Sequence, residues 1–167
     1  HIVNNSSIGA IPQDKKFGGE DTKLIIGDRT IIREFVTLNR GTKATGETRI
    51  GEDVLIMTGV HVAHDCIIGN NVILANSVPI GGHAKIDDDV IIGGNSAVQQ
   101  FTRVGKLSMI GGMCGVVKDI LPYSLVFGNR SILKGVNMIG LRRKNVSNNK
   151  INNCLLYTSD AADDVEC

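Results

Sequence analysis

The chain has 167 residues, 42% of them hydrophobic, and 18 Lys and Arg against 17 Asp and Glu give it a formal charge of +1. That size fits one ordinary domain, and the balance excludes a disordered tail, a collagen and a polybasic nucleic-acid binder. The apolar part is unusual in kind: 21 Ile and 16 Val outnumber 11 Leu, glycine reaches 20, and there is no Trp. Such a β-branched, glycine-punctuated composition predicts strands rather than helices.

From the first residues onward, no basic start followed by an apolar block marks an export signal. Residue 1 is His rather than Met, so the chain is expected to begin inside a longer protein. Residues 12–23 (PQDKKFGGEDTK) carry Pro, Gly and charge and predict an excursion loop. Ile26, Ile32 and Leu38 are then spaced by six, and the same phase resumes after a polar insert, Thr42–Arg49.

From Ile50 to Val116 an aliphatic residue occupies every sixth position, twelve times in succession. A small residue usually follows it, and a small or β-branched one lies four positions on, as in Val54, Cys66 and Ser96. A period of six suits neither a 3.6-residue helix nor a two-residue alternation. It predicts a parallel β-helix whose hexads each form one side and a corner, with three hexads to a triangular coil and 18 residues between stacked positions. The hexapeptide helix is assigned to residues 1–121. After Pro122 the period is lost, and 122–150 reads as a terminal segment leading toward a further, helical domain. Residues 151–167 read as a tail outside this pattern; CLLYTSDAADDVEC shares neither period nor composition with what precedes it.

The longest uncharged apolar stretch, Leu107–Val117, is interrupted by glycines and much shorter than the roughly 20 residues of a membrane-spanning helix, so no transmembrane segment is expected. The four cysteines (Cys66, Cys114, Cys154, Cys167) form no CxxC pair, which suits reduced thiols in a cytoplasm. Cys66 and Cys114 are expected to fill the prism interior.

Function must come from positions that depart from the scaffold pattern. Three of the four histidines, His61, His64 and His83, cluster in the most regular region. The 18-residue coil places His64, Gly82 and Gln100 in one column and Asp65, His83 and Phe101 in the next. An imidazole titrates near neutrality, a neighbouring carboxylate can orient it, and a glycine N–H can face an oxyanion. Three histidines are also a possible zinc set, as in trimeric β-helices of the carbonic anhydrase type. Arg142, Arg143 and Lys144 form the densest basic cluster, either a solvated run or a phosphate clamp. Nucleic-acid recognition is not expected, since aromatic interleaving and net positive charge are both missing.

The hexads together with HVAHDCIIGNNVILAN (61–76), IGGHAKIDDDVIIGGNSAVQQF (80–101) and GNRSILKGVNMIGLRR (128–143) resemble the acyl-[acyl-carrier-protein]:UDP-N-acetylglucosamine O-acyltransferase family, which opens lipid A biosynthesis. The resemblance covers residues 1 to about 150. It implies an all-β, left-handed parallel β-helix, a cytoplasmic homotrimer with active sites between subunits, and transfer of an (R)-3-hydroxyacyl group from acyl-carrier protein to the sugar 3-hydroxyl of UDP-N-acetylglucosamine. No metal or other cofactor is implied.

By the same resemblance His64 is the general base, Asp65 its supporting acid and Gly82 N–H the oxyanion donor. His61, His83 and Gln100 match groups lining substrate and acyl chain, and Gln13, Asp14 and Lys16 match a loop meeting the sugar and acyl product. Gly112 matches the floor of the acyl channel, while Asn137 and Arg143 match contacts to the nucleotide. Three positions depart from the family pattern: Gln99 replaces a histidine, Ile139 an acid and Lys144 an arginine. The alternatives are an N-acyltransferase of the same superfamily, a trimeric His-zinc protein of carbonic anhydrase type, and an inactive scaffold.

Overall fold

The computed structural model describes residues 1–149 and 151. Residue 150 and residues 152–167 lie outside it, and with them Cys154, Cys167 and the sequence reading of the tail. The described chain winds as a three-walled prism, each wall a stack of short parallel strands.

The first wall stacks Ser7–Ala10, Thr37–Asn39, His61–Val62, Pro79–Ile80, Ala97–Val98 and Gly115–Val116. The second stacks Lys23–Ile26, Glu47–Ile50, Ile67–Ile68, Lys85–Ile86 and Arg103–Val104. The third runs through Ile31–Ile32, Leu55–Ile56, Ile73–Leu74, Ile91–Ile92, Met109–Ile110 and Ser124–Phe127. It ends on Ile132–Val136, which pairs antiparallel with Ser124–Phe127.

Pairs such as Ile73↔Ile91 and Lys85↔Arg103 confirm the 18-residue coil. Earlier coils are longer by whole hexads. Thr37 pairs with His61, 24 positions on, because the insert after Thr42 adds six residues. Ile8 pairs with Leu38, 30 positions on, because the loop at 12–23 adds twelve. Both insertions leave the prism between two strands and return in phase.

All twelve hexad aliphatics from Ile50 to Val116 are at most 3% exposed and form one continuous core with residues such as Val54, Cys66 and Val90. Burying each such side chain contributes about 1.5–3 kcal/mol relative to exposure, which is why the period is so strict. Cys66 and Cys114 are buried free thiols inside this core, as expected; burial pushes the Cys66 thiol up to about 12.

The small residue after each aliphatic permits close approach between successive coils. A Cβ at Gly51 would stand 2.7 Å from the backbone carbon of Gly69 one coil away. The left-handed backbone falls two residues later, mostly on non-glycine positions: Asp53, Asp65, Asn71, His83, Asp89, Asn95 and Phe101 have φ of 55–64°. Asp and Asn tolerate this conformation best among such residues.

Parallel stacking continues one strand beyond Pro122. Leu125 pairs with Met109 at a spacing of 16 rather than 18, so the hexad count misses it although Val126 is 1% exposed in the core. The helix Met138–Arg143 then lies against the prism, with Leu141 and Ile151 packed on Leu107 and Val136. No helix among the described residues is long and apolar enough to cross a membrane.

Candidate active site at one prism edge

The edge between the first and second walls carries the two columns expected from the coil length. The His83 N–H donates to the His64 carbonyl at 3.0 Å, and the Phe101 N–H to that of Gly82 at 3.0 Å. The His83 ring stacks on Phe101 with centroids 4.5 Å apart and meets His64 edge-on at 5.2 Å.

His64 Nδ1 lies 2.7 Å from Asp65 Oδ2. The Asp65 side chain is fully buried, yet its carboxylate is completely satisfied. Oδ1 accepts from the Thr42 N–H at 3.0 Å and from the Thr45 hydroxyl; Oδ2 accepts from the Thr42 hydroxyl at 2.7 Å and from His64. Burial alone would push this carboxyl up, but the donors, Thr45 foremost, outweigh it and hold it at about 2. An ionised carboxylate only accepts, so the shared proton resides on His64 Nδ1 and leaves Nε2 with a free lone pair.

Gly82 is buried beneath that ring. A Cβ there would come 2.9 Å from His64 Cε1 and 3.0 Å from Nε2, so only glycine lets the imidazole lie flat along the column. The Gly82 N–H makes no hydrogen bond among the described residues.

His61 lies on the first wall, its Nδ1 2.7 Å from Thr37 Oγ1. Burial, and then the neighbouring His64 when charged, lowers its proton affinity. Gln100 is exposed at the foot of the His64 column. The zinc alternative rested on three histidines. The structure instead groups His64 and His83 with Asp65, all within 4.8 Å, and leaves His61 outside. With both lone pairs on each Asp65 oxygen already engaged, a metal would have to displace an existing donor.

The remaining residues are dispersed. Gln13, Asp14 and Lys16 lie in the excursion loop, where Asp14 accepts from the Lys16 N–H at 2.9 Å. Phe17 of that loop lies beneath the Arg40 guanidinium at 5.4 Å. Arg40 shares the His64 column, one coil earlier by the Thr37↔His61 register, so the loop is tied to the same edge. Sequence reasoning missed Arg40 because its spacing to His64 is 24; its buried Nε makes no hydrogen bond among the described residues.

Gly112 is exposed at the edge between the third and first walls, stacked below Gly94. Asn137 and Arg143 belong to the helix against the third wall, on an apolar groove of about 780 Å³ lined by Ile73, Ile91, Met109 and Ile139. The Asn137 amide is engaged at both ends: its Nδ2 donates to the Leu107 carbonyl at 2.9 Å, and its Oδ1 accepts from the Gly140 N–H at 3.0 Å. It therefore caps and anchors the helix, a role the sequence motif did not distinguish from ligand contact. Lys144 pairs with Asp89 at 2.5 Å, leaving Arg142 and Arg143 as the cluster's unpaired cations among the described residues.

Comparison with known proteins places this architecture. A model for six repeats of the bacterial transferase hexapeptide matches residues 47–82, and one for UDP-N-acetylglucosamine O-acyltransferase domain 2 matches residues 119–154. The acyl-[acyl-carrier-protein]–UDP-N-acetylglucosamine O-acyltransferase of Sulfurovum sp. is 54% identical over 143 residues, 85% of this chain and 55% of that protein. Its counterpart in Paracoccus denitrificans is 51% identical over 147 residues, 87% of this chain and 56% of that one.

Among solved structures, the UDP-N-acetylglucosamine acyltransferase of Arabidopsis superposes with a TM-score of 0.94 at 34% identity, covering 99% of this chain and 58% of that one. That of Moraxella catarrhalis gives 0.88 at 46% identity, covering 90% and 59%. The fold is thus the left-handed parallel β-helix of the hexapeptide-repeat transferases. Within that class, the chain belongs to the acyl-[acyl-carrier-protein]–UDP-N-acetylglucosamine O-acyltransferase family. It spans about half the length of the curated relatives it matches.

Proposed function

We propose that the protein carrying this chain transfers an (R)-3-hydroxyacyl group from acyl-carrier protein to the 3-hydroxyl of UDP-N-acetylglucosamine, the opening step of lipid A biosynthesis. The observation that carries this reading is the edge built by His64, Asp65 and Gly82, in a chain half identical to enzymes named for that acceptor and donor.

His64 Nε2 takes the proton of the sugar hydroxyl as its oxygen attacks the thioester carbonyl. The Gly82 N–H stabilises the tetrahedral oxyanion. Collapse breaks the carbon–sulfur bond, and the departing thiolate recovers the proton from His64. Asp65 stays ionised throughout and keeps Nδ1 protonated. His61, His83 and Gln100 line the acyl and sugar path beside the base, and Gly112 forms the channel floor further along the prism.

Arg143, with Asn137 fixing its helix, serves the nucleotide, and Gln13, Asp14 and Lys16 meet the sugar and acyl chain. Because the helix of Arg143 lies against the third wall and His64 on the opposite edge, the reading includes a homotrimer in which one subunit's helix serves its neighbour's base. The reading includes a cytoplasmic location, which suits the buried free thiols Cys66 and Cys114.

The full-length protein, given UDP-N-acetylglucosamine and a 3-hydroxyacyl carrier protein, is expected to form an ester at the sugar 3-hydroxyl, seen by mass spectrometry and NMR. Turnover of the 3-amino analogue in preference to the hydroxyl form, or no ester at all, overturns the assignment.

A further inference from the structure

The polar insert that begins at Thr42 and lengthens its coil by six residues folds back onto the catalytic edge. It has no counterpart in the later 18-residue coils, whose corners turn without insertion. Its hydroxyls converge on one carboxylate. The Thr42 oxygen accepts from the Ala44 N–H at 3.2 Å, which orients its proton toward Asp65 Oδ2 at 2.7 Å. The Thr45 hydroxyl faces two acceptors, the Glu47 carbonyl at 2.9 Å and Asp65 Oδ1. With one proton to give, it favours the charged acceptor, because charge-assisted hydrogen bonds are about twice as strong as neutral ones. On the other side of the same residue the Asp65 N–H donates to Thr48 Oγ1 at 2.8 Å, and Thr48 is fully buried.

The insert is shaped for this approach. A Cβ at Gly41 would stand 2.4 Å from the Glu47 nitrogen, so the two ends of the insert close tightly only with glycine there. The charged residues around the carboxylate do not replace the hydroxyls. His64 is its only imidazole within hydrogen-bond distance; His83 Nε2 stands 3.7 Å from Oδ2, beyond it. Glu47 is engaged outward by Arg49 at 2.7 Å, and Lys43 is exposed.

We propose that the insert is the orienting device of the catalytic pair, with Thr42 and Thr45 as positioning residues that lock the Asp65 carboxylate and, through it, the ring orientation and tautomer of His64. Neither hydroxyl touches the reacting atoms; each acts through Asp65. This rests on the proposed acyltransferase reading for its catalytic consequence, but not for its structural one.

The test replaces Thr45 by Val, which keeps shape and removes the donor, and by Ser, which keeps the donor. In the full-length protein, Thr45→Val is expected to lower kcat about tenfold with KM for UDP-N-acetylglucosamine unchanged, as for partners that orient a functional group from behind. Thr45→Ser restores kcat. By 13C NMR, the Asp65 carboxyl is expected to titrate higher in Thr45→Val than its wild-type value of about 2, because the ionised form loses a donor, and to return in Thr45→Ser. The carboxyl titration needs no turnover, so a protein inactive toward the proposed substrates defeats the function assignment and still leaves the insert's role decided. An Asp65 titration unmoved by Thr45→Val, a loss shared equally by Thr45→Ser, or an effect confined to KM overturns the proposal.

Discussion

Replacing His64 by Ala in the full-length protein is expected to lower the proposed acyl transfer by about 10²–10⁴-fold, the contribution a positioned general base typically makes. The expectation follows from the lone pair that the bond to Asp65 fixes on His64 Nε2. Nδ1 is committed to Asp65, so Nε2 is the acceptor that faces the space above Gly82. His83 lacks that orienting bond, because its ring is stacked on Phe101 and its Nε2 lies 3.7 Å from the carboxylate. The core is untouched, since the His64 side chain lies outside the prism while Val62 and Cys66 fill it. Steady-state kinetics beside a thermal melt checks both halves: activity falls and the melting temperature holds. Undiminished transfer by the variant removes His64 from the mechanism.

Gly82→Ala is expected to be nearly as damaging although it adds one methyl group. The new Cβ would stand 2.9 Å from His64 Cε1, closer than real Cβ contacts come, so the ring must move. Moving it stretches the 2.7 Å bond to Asp65, whose three donors from Thr42 and Thr45 prevent the carboxylate from following. A displacement of about 1 Å at reacting groups costs on the order of 10²-fold. The loss should appear in kcat, with stability little changed because the Gly82 backbone needs no left-handed φ. Wild-type kcat in Gly82→Ala shows that the ring is free to shift without cost.

The scaffold was legible because its physics is periodic. Each inward aliphatic must recur every sixth residue to reach the axis, and the two columns of the candidate site follow from adding 18 to His64 and Asp65. What escaped the period were the places where the chain leaves it. Thr42 and Thr45 reach Asp65 from an insert whose fold depends on Gly41 and on local turn bonds, not on spacing. Arg40 lies in the His64 column, but at a distance lengthened by that same insert. The strand Ser124–Phe127 was hidden by a spacing of 16, and the helix-capping role of Asn137 by a motif that is equally consistent with ligand contact. The glycines after each aliphatic were legible as a pattern but not in their cause, which is the contact between successive coils.

The claim on which the rest depends is that an ionised Asp65 fixes His64 with its proton on Nδ1 and its lone pair on Nε2. Nitrogen-15 NMR of histidine-labelled protein at a pH where His64 is neutral reads this directly. A predominantly Nδ1–H signal for His64, lost in Asp65→Ala, is the predicted result; a predominantly Nε2–H tautomer in the wild type contradicts the account.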